Sequence, residues 1–297
     1  TMKVELVWEA PRVTKPYTEP QWSAIESLGR QIDRDLDLHD VRLTQGGEPT
    51  FVSIDDMDGD EWNTAALSDK KWELAEQLAW RLKERFAEGG LVFYGQGKWY
   101  PGEPLPRWAL GIQWRNDGQK LWRNPELIGA ASTAPVAKPE DAKRFAEALT
   151  DALGLPVKNL LAAWEDPLTH LPPEKAKRAP GGTAAGYVLS LGADKKDNSW
   201  ISSLWPLPDD QLILINGDSA LGYRLPLNVL PEKTADRKKL VRTALCVEVR
   251  DGRLYVFVPP FETVEPYFAL LTLIEDAAAA LKLRVRLEGY GPPHDAR

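Results

Sequence analysis

Two apolar, β-prone runs, residues 245–249 and 254–258, flank Arg250-Asp251-Gly252. Such runs separated by an Asp-Gly step carry the short-range signature of an antiparallel hairpin. This is the clearest hairpin in the chain, and it commits the C-terminal part to a sheet joined by tight turns. The same grammar is expected earlier, where Asn116-Asp117-Gly118 turns a strand over residues 108–114 back toward Leu121-Trp122. Further strand patterns lie at residues 3–8, 41–43, 50–53, 91–94, 186–191, 211–215 and 284–288.

Helical periods alternate with these strands. Trp22, Ile25, Leu28 and Ile32 recur at helical spacing in a run over 19–36 that Thr18 is placed to cap. Ser68 or Asp69 caps a second helix through Phe86, with Leu74, Leu78 and Leu82 as its apolar stripe and Gly89-Gly90 as its stop. Two more helices are expected over 139–153 and 264–281. Hairpin-paired strands with helices inserted between groups predict an α+β fold, a mostly antiparallel sheet with helices packed on one face. Regular βαβ alternation is not evident, which leaves a doubly wound sheet as the alternative. The 297 residues are expected to form a single domain, with a linker-like loop near 130–139 and a mobile Pro/Gly/Lys-rich loop near 172–182.

The formal charge of −7 argues against a general nucleic-acid binder, while leaving room for a local basic pocket. One cysteine, Cys246, precludes an internal disulfide and is expected as a small buried hydrophobe. The three histidines stand far apart with no zinc-like spacing, so any bound metal is expected to be a hard cation on oxygen ligands. With no long apolar run, the expected location is cytoplasmic.

Residues 45–61 carry six carboxylates in seventeen positions. An EF-hand does not fit, because Glu61 stands where the loop needs glycine. Either Glu48, at a Gly-Gly bulge, is an inward metal ligand, or the run is a solvated acidic turn with Glu48 in a buried salt bridge. Gly95-Gln96-Gly97-Lys98 lacks the spacing of a Walker loop. Lys98 still offers a point charge to phosphate and Arg107 a bidentate fork, unless both neutralise the acidic run. Asn216-Gly217-Asp218-Ser219, with Arg224 beyond it, supplies either Asp218 as a ligand and Arg224 as an anion clamp, or a capped turn. Glu248 and Glu288 lie in strands whose facing the sequence leaves open.

The segments Gly46-Gly47-Glu48-Pro49-Thr50-Phe51, Tyr94-Gly95-Gln96-Gly97-Lys98-Trp99-Tyr100, Arg107-Trp108, Gly217-Asp218-Ser219 with Tyr223-Arg224, and Arg242-Thr243-Ala244-Leu245-Cys246-Val247-Glu248 resemble one family. It is the amidoligase domain of large bacterial transglutaminase-like proteins, and the resemblance spans about residues 12–297. That family is thought to be similar to glutamine synthetase. The resemblance therefore implies an antiparallel sheet with an ATP- and Mg²⁺-binding face, and amide formation through an acyl phosphate. It implies Glu48, with Asp218 and Glu248, as metal ligands; Gln96, Gly97 and Lys98 at the nucleotide; and Arg107 and Arg224 at the reacting anionic groups. Relatives continue beyond the equivalent of Arg297, so a complementing domain or a transglutaminase-like partner is also implied, besides carboxylate and amine substrates. A non-catalytic binding or scaffold module is the competing expectation, and a sugar-stacking surface using Trp99 and Trp108 a third.

Overall fold

The computed structural model describes residues 17–41, 69–97, 108–130, 133–166, 183–233 and 239–297. The chain divides into two units, residues 1–50 and 51–297. In the first, helix α1 (Glu19–Leu38) starts where Thr18 predicts, and the Gln21 side chain accepts from the Thr18 N–H at 2.9 Å. Its Trp22, Ile25, Leu28 and Ile32 stripe is exposed. The strands predicted at 3–8 and 50–53 lie outside the described residues, as do positions 42–43 of the third.

The second unit contains, in order, α2 (Asp69–Phe86), β1 (Leu91–Gln96), β2 (Trp108–Gln113), α3 (Pro139–Ala152), β3 (Leu160–Trp164), β4 (Gly186–Ser190), β5 (Gly192–Ala193), β6 (Trp200–Ile201), β7 (Leu212–Ile213), β8 (Ala244–Arg250), β9 (Arg253–Val258), α4 (Val264–Leu281) and β10 (Val285–Gly289). Eight strands form one mixed sheet in the order β2-β1-β10-β9-β8-β4-β3-β7, and β5 pairs with β6 apart from it. The β8–β9 hairpin forms as expected: Asp251 and Gly252 take φ of 49° and 68°, the two positive values a twist-matched two-residue turn needs.

Most pairings are antiparallel, but β10 runs parallel to both β9 and β1, and β7 parallel to β3. The succession β9–α4–β10 is thus a βαβ unit inside an α+β sheet, which strand grammar alone does not show. The hairpin expected between 108–114 and 121–122 does not form. Strand β2 pairs instead with β1, and residues 121–122 leave the sheet as bends, with Trp122 buried under its N–H bond to the Gly89 carbonyl at 2.9 Å.

Alternation along the central strands separates two faces. Leu91, Phe93, Leu245, Val247, Leu254, Val256, Val258, Val285 and Leu287 join the main core, covered by α3 and α4 through Phe145, Leu149, Tyr267, Leu270 and Ile274. Val92 and Tyr94 point the other way and meet α2 through Ala79, Trp72 and Trp80. Helices therefore pack on both faces, correcting the one-face expectation. Helix α2 also turns a different side inward: Leu74, Leu78 and Leu82 are exposed, while Glu76 is buried. The physical reason is the partner surface, where Tyr94 and Arg286 offer Glu76 a hydrogen bond and an ion pair that a leucine row could not use. Within the expected linker near 130–139, the Ala137 N–H donates to the Gly252 carbonyl at 2.8 Å, and the Ala130 carbonyl accepts from Arg286 at 3.1 Å. The loop near 172–182 lies outside the described residues.

Candidate functional site

The face opposite the α3/α4 core collects the polar side chains of the central strands. Strand register places Gly186, Glu248, Tyr255 and Arg286 in one row across β4, β8, β9 and β10. The next row runs Cys246, Phe257, Glu288 and Tyr94 across β8, β9, β10 and β1.

Arg250 ties these rows together. It donates to Glu248 Oε1 at 3.0 Å and, across strand β9, to Glu288 Oε2. Its guanidinium lies 3.8 Å from the Tyr255 ring centroid, a cation–π contact that fixes the arm on its way. Side-chain exposure is 29% for Arg250 against 9% and 4% for its two glutamates, so the arginine caps them from the solvent side. A second cluster adjoins it. Arg286 pairs with Glu76 at 3.0 Å and donates to the Tyr255 hydroxyl at 3.2 Å, and the Tyr94 hydroxyl donates to the same Glu76 oxygen.

The turn Leu221–Tyr223 is laid onto this face by two glycines. A Cβ at Gly186 would fall 2.5 Å from Leu221 Cδ1 and 2.7 Å from the Val247 carbonyl. One at Gly222 would fall 2.3 Å from Phe257 Cδ1. Their absence brings the Leu221 N–H to 2.8 Å from Glu248 Oε1 and lets the Tyr223 hydroxyl donate to the Gly289 carbonyl at 3.1 Å.

Burial dominates the proton equilibria. The Glu288 carboxyl is pushed up to about 7 by burial, and Arg250 only partly offsets this. Glu248 is raised for the same reason, with Arg250 and the Leu221 N–H opposing. Burial works against the charge on Arg250, but the two carboxylates outweigh it and hold its pKa above the ordinary value. Burial also raises the Tyr94 and Tyr223 phenols, keeping both protonated. Glu288 Oε1 is buried and has no hydrogen-bond partner.

Among the residues singled out from sequence, Glu248 lies at the centre of this face. Gln96 ends β1 on the same face, exposed, with Gly97 following. Strands β1 and β8 are separated by β10 and β9, which puts roughly 14 Å between them. Arg224 is buried, holds Glu165 through both terminal nitrogens, one at 3.0 Å, and bonds the Ile215 carbonyl at 2.9 Å. Its charge reaches Glu248. Asp218 is exposed on the preceding turn. Glu48, Lys98, Arg107 and Trp99 lie outside the described residues. Trp108 packs edge-on against Trp72 at 4.7 Å. Cys246 is fully buried and its thiol is raised well above the ordinary value by burial, in keeping with a packing residue.

Arg250, Glu288, Arg286, Tyr255, Tyr94 and Glu76 were not among the predicted site residues. For three of them, Arg250, Arg286 and Glu288, a signal existed. In Val247-Glu248-Val249-Arg250 and Val285-Arg286-Leu287-Glu288, charged residues two apart interrupt otherwise apolar strands, so each pair shares a face.

Among the described residues no helix is long and apolar enough to cross a membrane. The α+β sheet thus carries paired acids and arginines on one face. Over residues 1–181, 175–240 and 230–297 the chain matches the family described as "Putative amidoligase enzyme (DUF2126)", and it belongs to that family. No curated protein matches it. No solved structure matches it either.

Proposed function

We propose that the chain is an ATP- and Mg²⁺-dependent ligase joining a carboxylate to an amine, with its chemistry on the sheet face that carries Glu248, Arg250 and Glu288. The observation that carries the proposal is the Glu288 Oε1 atom, buried without a partner beside a second carboxylate, in a chain of an amidoligase family. A glutamine-synthetase-like arrangement of the sheet belongs to the same proposal.

The donor set suits magnesium, which is held through one or two carboxylates while substrate phosphates and water complete its shell. Among the described residues no three acidic, histidine or cysteine side chains gather to hold a metal alone. Glu248 and Asp218 are proposed as its ligands, and Glu48, which lies outside the described residues, is proposed in the same role. Gln96, Gly97 and Lys98 are assigned to the nucleotide and Arg107 to its transferred phosphoryl group. When bound, Mg²⁺-ATP supplies the phosphoryl group that makes the substrate carboxylate an acyl phosphate, whose phosphate the amine displaces.

The chain's own residues then have separable tasks. Arg250 offsets negative charge gathering above the two glutamates. Glu288, poised near neutrality, accepts the proton that the attacking amine loses as the C–N bond forms. Arg224 already holds a carboxylate: Glu165, 47% exposed, occupies the guanidinium fork of an arginine that is 8% exposed. A substrate carboxylate exchanging with Glu165 would meet the same bidentate geometry.

The test is ADP release that requires both a carboxylate and an amine, screened over panels of each with the whole chain. Glu288→Gln is expected to lower turnover about 100-fold or more, with Mg²⁺-ATP binding by calorimetry within about threefold of the parent. Absence of any Mg²⁺-ATP binding heat would leave this face as a structural ion-pair network and end the ligase proposal for this chain.

A further inference from the structure

We propose that a cleft at the rim of the sheet binds a small molecule with an oxyanion head, phosphoryl or carboxylate, on an apolar body. The cleft, about 490 Å³, lies between the segments 124–129 and 133–137, the Gly252 turn of the β8–β9 hairpin, the end of α4 and the start of β10. That volume is in the range that small-molecule sites occupy.

Four cations line it, Arg253, Lys282, Arg284 and Arg286, against one carboxylate, Glu126. Two of the arginines have unfilled donors. Arg286 is 5% exposed; its terminal nitrogens are spent on Tyr255, the Ala130 carbonyl and Glu76, and its Nε is buried with no hydrogen-bond partner. Arg253 Nε is likewise buried and unpartnered. Buried donors are nearly always satisfied, so two such atoms on arginines that line one cleft point to an acceptor drawn in there. Ordered water would fill the Nε donors, but with Arg286 paired to Glu76 it would still leave Arg253, Lys282 and Arg284 against the single acid Glu126.

Two backbone features fit the same purpose. Gly129 leaves space beside Arg286: a Cβ there would lie 3.3 Å from Arg286 Cγ and 3.8 Å from its Nε. Lys282 closes α4 with φ of 54°, a conformation glycine adopts at less cost. The Lys282 and Leu283 N–H groups cap the Ala279 and Ala278 carbonyls, which any residue's backbone would do. What lysine adds is a cationic side chain lining the cleft. Leu127, Leu254, Leu283 and Val136 supply the apolar wall. The cleft shares Arg286 with the cluster that adjoins the sheet face, but Arg253, Lys282 and Arg284 take no part in the ligation chemistry.

The test titrates the whole chain by calorimetry with inorganic phosphate, phenyl phosphate and phenylacetate. At least one aromatic anion is expected to bind more tightly than inorganic phosphate, and which of the two wins identifies the head group. Lys282→Gly and Arg253→Gln should each weaken that binding at least fivefold. Lys282→Gly should also leave the melting temperature equal or higher, so a loss of binding there cannot come from misfolding. Arg250→Gln, titrated at pH 5.5 and at a temperature where circular dichroism shows it folded, should leave binding within twofold. The proposal is overturned if neither aromatic anion binds, if Lys282→Gly and Arg253→Gln both bind as the parent does, or if Arg250→Gln alone abolishes binding.

Discussion

Arg250 on β8 reaches over the Tyr255 ring of β9 to hold Glu288 on β10, while its other terminal nitrogen holds Glu248 beside it. One guanidinium therefore neutralises two carboxylates that are two strands apart and nearly withdrawn from water.

The buried carboxyl of Glu288 should make stability fall as pH rises. Its folded pKa of about 7 lies above the ordinary carboxylate value of 4.5, so between those limits the folded chain binds the extra proton. Unfolding free energy therefore declines across that window, by on the order of 3 kcal/mol from this group, and is flat above it. Urea unfolding at pH 5, 7 and 8.5 should show this decline in the parent and a shallower one in Glu288→Gln. Identical slopes would refute it.

Removing the shared cation should cost more than removing either partner. Arg250→Met leaves two buried carboxylates facing each other without a counter-charge, a change worth about 3 to 5 kcal/mol. Protonation relieves it, so the loss should be smaller at pH 5 than at pH 8. In Arg250→Met combined with Glu288→Gln, part of the stability should return. A double-mutant cycle with no coupling would separate the two residues.

The glycines under the Leu221–Tyr223 turn predict a steric effect. Gly186→Ala sets a methyl against the Val247 carbonyl and Leu221, and Gly222→Ala sets one against the Phe257 ring. Each should destabilise by about 1 to 3 kcal/mol, the usual cost of overpacking. Amide exchange at Leu221, whose N–H bonds Glu248, should accelerate well beyond the global change. Unaltered protection of that amide would mean the turn does not rest on the sheet as described.

The hairpin turn offers a local check. Gly252 has φ of 68°, and a Cβ there would meet Pro135 at 2.9 Å. Gly252→Ala should cost about 1 to 2 kcal/mol from the positive φ alone. It should also loosen residues 133–137, since the Ala137 N–H bonds the Gly252 carbonyl. If thermal unfolding and exchange at Ala137 both match the parent, the turn geometry is otherwise.

Much of the secondary structure was legible because it follows from local rules. Helix α4 begins and ends at the predicted positions, and the β8–β9 hairpin follows from its Asp-Gly step. Trp122 shows where that reasoning fails. The turn at 116–118 looked like a hairpin, but β2 found its partner in β1, and the following apolar residue was drawn into the core. Helix α2 misleads for a related reason: its leucine row faces outward, while the side it buries sets Trp72, Ala79 and Trp80 beside Glu76, whose partners Tyr94 and Arg286 lie on the sheet. Of the proposed site, family resemblance singles out Glu248, and Glu288 stands in the sequence as a strand acid of open facing.

By itself the sequence determined the α+β class, the helices, the C-terminal hairpin and the family. Periodicity, capping and turn chemistry act over a few residues, and those residues carry the whole signal. Only the tertiary structure decided that β10 lies between β1 and β9, that helices cover both faces, and that Arg250 meets Glu288. Strand order is settled by which faces can be buried together once the loops are closed. It is that order which set two charged pairs, distant along the chain, side by side where water screens them poorly.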